Sequence, residues 1–164
     1  MNTFSASPQD SVTYRGLTER LVVDQLISPA GASEIAEVAR SLSKTLIQEL
    51  LDGNHIDSGA LAVIVSEEYG APLFNLTPMV HEHLPLDLVP QSLIRKHKAL
   101  PLYRRGNRLF VAIADPTNTS ALAEFKFATG IATDSVVVEQ KLALETISEV
   151  IAKQDEVFDG DIAD

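Results

Sequence analysis

The feature that most constrains the fold is an internal repeat near the start of the chain. Shifting the sequence by 29 positions lays Arg15 on Lys44, Leu17 on Leu46, Leu21 on Leu50, Val22 on Leu51, Ile27 on Ile56, Ser28 on Asp57 and Ile35 on Ile64. The match reaches beyond the apolar positions to the turns. Ser28 and Asp57 are both good N-caps, whose side-chain oxygens accept hydrogen bonds from backbone N–H groups at a helix start. Pro29 then falls on the first helical position, where its missing N–H costs nothing. Each unit reads as helix, turn, helix. Leu46, Ile47, Leu50 and Leu51 make one broad apolar stripe, and Leu61, Ile64 and Val65 give the next helix a similar face. Four short helices over residues 14–76 are therefore expected to share one core.

After Tyr69-Gly70 the pattern changes. APLFNL is extended, and TPMVHEHLPLDLVP is interrupted by prolines, so 77–89 reads as a linker between two subdomains. Pro90 suits the first position of a short helix reaching His97, with Leu93 and Ile94 inward. Alternating apolar residues on either side of Gly106-Asn107 predict a hairpin with a two-residue turn, in which both residues tolerate positive φ. Asp115-Pro116-Thr117-Asn118 is a turn able to cap a helix carrying Leu122 and Phe125, and Gly130 closes that helix. SVVVEQ, residues 135–140, reads as a third strand. Residues 141–153 read as a final helix with Leu144, Ile147, Val150 and Ile151 on the sheet. The expected fold class is α+β: a four-helix repeat subdomain followed by a small αββαβα subdomain over 90–153. Residues 1–13 read as a flexible start.

Charge and composition narrow the function. There is no cysteine, which excludes disulfides and thiolate metal sites and suits a cytosolic protein. No apolar run approaches the roughly 20 residues of a membrane helix, and the polar start lacks the pattern of a secretory signal. The net charge is −10, spread as −7 over residues 1–84, +1 over 85–152 and −4 over 153–164. Such an acidic balance argues against non-specific nucleic-acid binding, whose affinity comes largely from phosphate contacts. The closing KQDEVFDGDIAD reads as an acidic linker, 154–164, toward a following domain.

Candidate chemical motifs are sparse. Arg104, Arg105 and Arg108 surround Gly106-Asn107 like a phosphate-gripping loop, but no glycine precedes a lysine as in a Walker loop, and no G-x-G-x-x-G is present. RRGNR therefore reads as a solvated turn. His81 and His83 have the H-x-H spacing that would aim two imidazoles to one side of a strand. They lie in a proline-broken stretch with no third ligand nearby, so no metal is expected there, nor at His55 or His97. The serines form no nucleophile motif. No catalytic residue, cofactor or metal is expected in this chain, although a metal enzyme using His81 and His83 remains a distinct alternative.

LPLYRRGNRLFVAIADPTN followed by ALAEFKFATG resembles the second N-terminal subdomain of the bacterial type II secretion and type IV pilus assembly ATPases, in which a strand pair, a D-P-T/A-N turn and a K-F-A-T-G helix end recur. The helical repeat resembles their first subdomain, and the pilus extension ATPases are the nearest likeness. The resemblance implies a non-catalytic regulatory head, joined by its acidic linker to a hexameric ATPase core that drives pilin polymerisation. It further implies a cytoplasmic location peripheral to the inner membrane, a role in pilus extension and twitching motility, and partners such as a PilZ-type adaptor or another protein of the pilus machinery.

Some members of the family bind cyclic di-GMP through the repeat, each unit carrying an R-L-G start, a later glycine and a closing glutamine. In this sequence the arginine positions fall on Gly16 and Thr45, the first glycines on Thr18 and Ile47, the later glycines on Gln25 and Asn54, and the glutamines on Ala39 and Glu68. Arg15 and Lys44 stand one residue early, about 100° around a helix. A cyclic di-GMP receptor with an unusual site is thus the alternative, and protein contact the preferred function. The first helix, 14–26, carries more apolar surface than one core face of a short helix uses. Tyr14, Leu17, Leu21 and Val23 are accordingly the expected partner-binding residues, with Tyr14 as aromatic anchor.

Overall fold

The computed structural model describes residues 16–77 and 81–161, with side chains at all of these except 81 and 158–161. Four helices come first: α1 (Leu17–Val23), α2 (Pro29–Ser41), α3 (Leu46–Asp52) and α4 (Ser58–Tyr69). The repeated caps form as expected. Gly31 N–H donates to Ser28 Oγ at 3.0 Å, and Ala60 N–H donates to Asp57 Oδ2 at 3.0 Å. Leu21, Ile47, Leu50, Leu61 and Val65 fill one core between the four helices.

The second part runs α5 (Gln91–His97), β1 (Leu100–Arg105), β2 (Arg108–Ile113), α6 (Thr119–Thr129), β3 (Ala132–Val137) and α7 (Gln140–Asp161). β1 and β2 are antiparallel, β2 and β3 parallel, and the order in the sheet is β1-β2-β3. The hairpin closes at Arg105 opposite Arg108. Of the two turn residues only Gly106 takes positive φ, at 59°, as in a turn with glycine at its first central position. Asn118 caps α6 by accepting from Ala121 N–H at 3.2 Å, and Gly130 ends it with φ 68°. Phe125, Ile94, Leu102 and Val111 lie in the centre of a second core.

Several expectations shift. Pro90 is the N-cap of α5, not its first helical residue, because its ψ of 140° is extended. β3 lies three residues earlier than SVVVEQ, since pairing with β2 starts at Arg108 opposite Ala132. On α7 it is Ala143, with Ile147, Val150 and Ile151, that reaches the core, whereas Leu144 is exposed. That helix also continues past Lys153 to Asp161, through residues expected to begin a linker. The segment expected to link the subdomains, 77–89, contains two short 3-10 turns, His81–His83 and Leu86–Leu88, and sends Leu84 and Val89 into the second core.

The two parts meet across β3. Successive strand residues face opposite sides, so Val136 joins the second core while Val137 joins the core of the helical repeat. The stretch after α4 adds to this seam: Val137 N–H donates to the Pro72 carbonyl and Phe74 N–H to the Val137 carbonyl, both at 2.8 Å. Polar contacts flank it. Thr45 Oγ1 donates to Asp115 Oδ2 at 2.5 Å, and Ser58 Oγ donates to Glu139 at 2.8 Å. Asp115 is buried, and its other oxygen accepts from both the backbone N–H and the hydroxyl of Thr117.

Candidate functional site

The helical repeat holds a matched pair of turns. At the end of α1, Gln25 N–H donates to the Val22 carbonyl and Leu26 N–H to that of Leu21, each at 3.0 Å. At the end of α3, Asn54 N–H donates to Leu51 at 3.2 Å and His55 N–H to Leu50 at 3.2 Å. Both are Schellman endings, whose residue after the helix takes left-handed backbone and is most often glycine. Gln25 and Asn54 occupy it with φ of 58° and 50°. The two positions that resemblance aligns with later glycines thus keep the glycine conformation with larger side chains, at a cost of about 1–2 kcal/mol for Gln25 and less for Asn54, since asparagine adopts this region more readily.

The other aligned positions are filled differently. Ile47 and Ala39 are buried in the protein. Thr45 caps α3, accepting from Gln48 N–H at 3.1 Å while holding Asp115. Gly16 starts α1 with φ 71°, and a Cβ placed on it would lie 3.6 Å from Glu68 Oε1. The first arginine position and the last glutamine position are therefore neighbours in space, but they present a glycine and a carboxylate. Such a pair offers no cation to a phosphate.

Two basic side chains of the repeat, Arg20 and Lys44, are committed elsewhere, whereas Arg40 is exposed on the last turn of α2 and Arg15 lies outside the described residues. Arg20 donates to Glu67 and lies 3.5 Å from Asp24, and its pKa is raised first by the Glu67 bond and then by Asp24. Lys44 reaches Asp52 at 2.9 Å and Glu49 at 3.5 Å. Its pKa rises chiefly through the Asp52 bond. Partial burial opposes ionisation of Asp52, but the hydrogen bonds from Lys44 and Gln48 prevail and hold its pKa below the usual carboxylate value. Freeing either cation for an anionic ligand would first require breaking these pairs.

Of the expected partner-binding residues, Leu17 and Leu21 are buried in the helical core at 4% and 0% exposure. The short helix points this pair inward to meet α2 and α4. Val23 faces solvent at 70% exposure, and Tyr14 lies outside the described residues. Leu26 at the end of the same turn is also exposed, as are Val38 and Leu42 on or just after α2. Sequence reasoning passed over that second pair, although its four-residue spacing one strip away from Ile35 and Ala39 was a usable signal.

The remaining motifs sit where ordinary structure explains them. His83 is exposed in a 3-10 turn, not on a strand, and no group of three or more metal-ligating side chains occurs among the described residues. In RRGNR, Arg104 Nε donates to the Gly106 carbonyl at 3.0 Å and Arg108 pairs with Asp134 at 2.5 Å. No helix among the described residues is long and apolar enough to cross a membrane.

Comparison with known proteins agrees with this layout. The type IV pilus assembly ATPase PilB of Pseudomonas aeruginosa is 34% identical over 136 residues, 82% of this chain and 24% of that protein. PilB of Myxococcus xanthus is 30% identical over 151 residues, 90% of this chain and 27% of that protein. The chain spans about a quarter of the length of these relatives. Among solved structures, the N-terminal domain of XpsE superposes with a TM-score of 0.66 at 17% identity, covering 83% of this chain and 96% of that one. The structure of MshE with cdg superposes with a TM-score of 0.63 at 18% identity, covering 84% and 99%. At such identities the shared property is the fold. The XpsE structure on which this chain superposes is of an N-terminal domain. The sequence pattern of the MshEN domain extends over residues 69–157, more than half of the chain, and the chain belongs to the MshEN domain family.

Proposed function

We propose that the chain is the regulatory and protein-interaction module of a pilus assembly ATPase, coupling pilus extension to an adaptor of the PilZ type. In this role it sits on a hexameric ATPase core, in the cytoplasm at the inner membrane. The observation that carries the proposal is the state of the repeat. The Schellman turns at the aligned positions Gln25 and Asn54 hold non-glycine residues, while the other positions aligned with ligand contacts include core residues, a helix cap and a carboxylate. The exposed Val23, Leu26, Val38 and Leu42 supply apolar surface of the kind protein contacts use. A second function, cyclic di-GMP binding, draws support from the fold shared with MshE, but it would place the Glu68 carboxylate beside the phosphate, and Arg20 and Lys44 could join only by leaving their carboxylate partners.

Calorimetric titration of the PilZ-type adaptor from the same bacterium into the chain is the test. Because Leu17 is a core residue, the informative variant is Val23→Asp with Leu26→Asp. It is expected to keep the parent circular dichroism spectrum and to bind at least about tenfold more weakly, a loss of about 1.4 kcal/mol or more. Equal binding would move the surface elsewhere. A parent chain that gives no binding heat would remove the adaptor from the proposal.

A further inference from the structure

Two unlike surfaces lie at the two ends of α5. At its start, residues 82–91 and the stretch 150–157 of α7 line an open cleft of about 840 Å³. Gln91, the first residue of α5, anchors this side by donating to Gln154 on α7 at 2.8 Å. Leu86 and Val157 give the cleft apolar surface, and Glu82, Asp87, Asp155 and Glu156 ring it with carboxylates. Among the described lining residues Lys153 is the one cation.

At the other end of α5 the charge reverses. Arg95 and Lys96 are exposed on its last turn, and Lys96 reaches Glu124 on α6 at 2.9 Å. One turn further along α6 stands Phe127, 94% exposed, with Lys126 beside it. A phenylalanine this exposed contributes nothing to the core that Phe125 fills. Phe127 shares this end with the exposed cations Arg95, Lys96 and Lys126 against the carboxylate of Glu124, so an aromatic ring on a net positive end matches an apolar cleft rimmed by carboxylates.

We propose that Phe127 and its basic surround dock into the acidic cleft of a second copy of the chain. The surfaces are held at opposite ends of a helix about 10 Å long, so they cannot meet within one molecule. The contact is head-to-tail, leaving each copy with a free knob at one end and a free cleft at the other, and repetition gives a ring where the rotation closes. Opposite charges orient the encounter and exclude the like-with-like arrangement. The contact is independent of the adaptor surface on the helical repeat.

Sedimentation velocity of the chain at low salt, from about 10 µM to about 1 mM, covers the range of weak association. The parent is expected to sediment faster as concentration rises, and less so at high salt because the charges are then screened. Phe127→Asp removes the knob, and Glu156→Lys with Val157→Lys reverses the cleft rim; all three residues are exposed, and circular dichroism checks the fold. Each variant alone is expected to stay monomeric. Mixed, they retain one intact knob and one intact cleft and are expected to form a one-to-one dimer that goes no further. A parent chain that stays monomeric throughout, a variant that associates like the parent, or a mixture that remains monomeric would overturn the proposal.

Discussion

Replacing Phe125 with alanine is expected to lower the free energy of unfolding by about 3–5 kcal/mol. The ring is completely buried on α6, and with Ile94 from α5 and Val111 from β2 it fills the centre of the second core. It also lies 6.4 Å from the ring of His97, tilted by 51°. Truncation removes apolar burial and leaves a cavity that three different elements would have to close together. The lost stability corresponds to a fall in melting temperature on the order of 10 °C for a chain of this size. Urea denaturation followed by circular dichroism measures it, and a loss below about 1 kcal/mol would mean that Phe125 is not central to this core.

Val137→Asp tests whether the helical repeat and the sheet form one cooperative unit. Val137 is buried at the seam, with its side chain in the helical core and its backbone tied to Pro72 and Phe74. A carboxylate there has no cationic partner in that apolar cluster, and burying it costs several kcal/mol. Against a typical total of about 5–15 kcal/mol, the variant is expected to be largely unfolded in both parts. The alternative is that the repeat loosens while the sheet stays folded, visible as a second thermal transition in the circular dichroism melt. A variant melting within a few degrees of the parent would contradict the seam.

Much of this organisation was legible because it depends on local chemistry. Ser28, Asp57 and Asn118 cap helices through their own side chains, and Gly106 and Gly130 supply backbone that few other residues adopt. What was misplaced depends on tertiary context. Ala132 and Asp134 have little strand propensity, yet with Thr133 they pair with β2, because sheet formation is decided by neighbours more than by the residues themselves. The proline-rich approach to α5 looked like a linker, but Leu84 and Val89 anchor it. Prolines exclude regular helix without excluding burial.

The candidate surface was only half legible for a related reason. α1 has apolar residues on more than one side, and sequence alone does not say which side faces the bundle. Leu17 and Leu21 turned inward and Val23 outward. Phe127 was hidden within a motif read for its helix ending, two residues after a phenylalanine that does belong to the core. Adjacent helical positions differ by about 100°, so Phe125 and Phe127 point to opposite sides.

The helical repeat shares its fold with the MshE structure, while the positions aligned with nucleotide contacts serve packing and helix capping. The most direct measurement is the melting temperature of the chain with and without cyclic di-GMP at tens of micromolar. A ligand that binds only the folded state adds about 1.4 kcal/mol at ten times its Kd, enough to raise the melting point of a chain this size by a few degrees. The prediction is an unchanged melting temperature, because the aligned positions place the Glu68 carboxylate beside Gly16 and the Arg20 and Lys44 cations are already paired with carboxylates. A clear, saturable rise would contradict it and make the repeat a dinucleotide receptor.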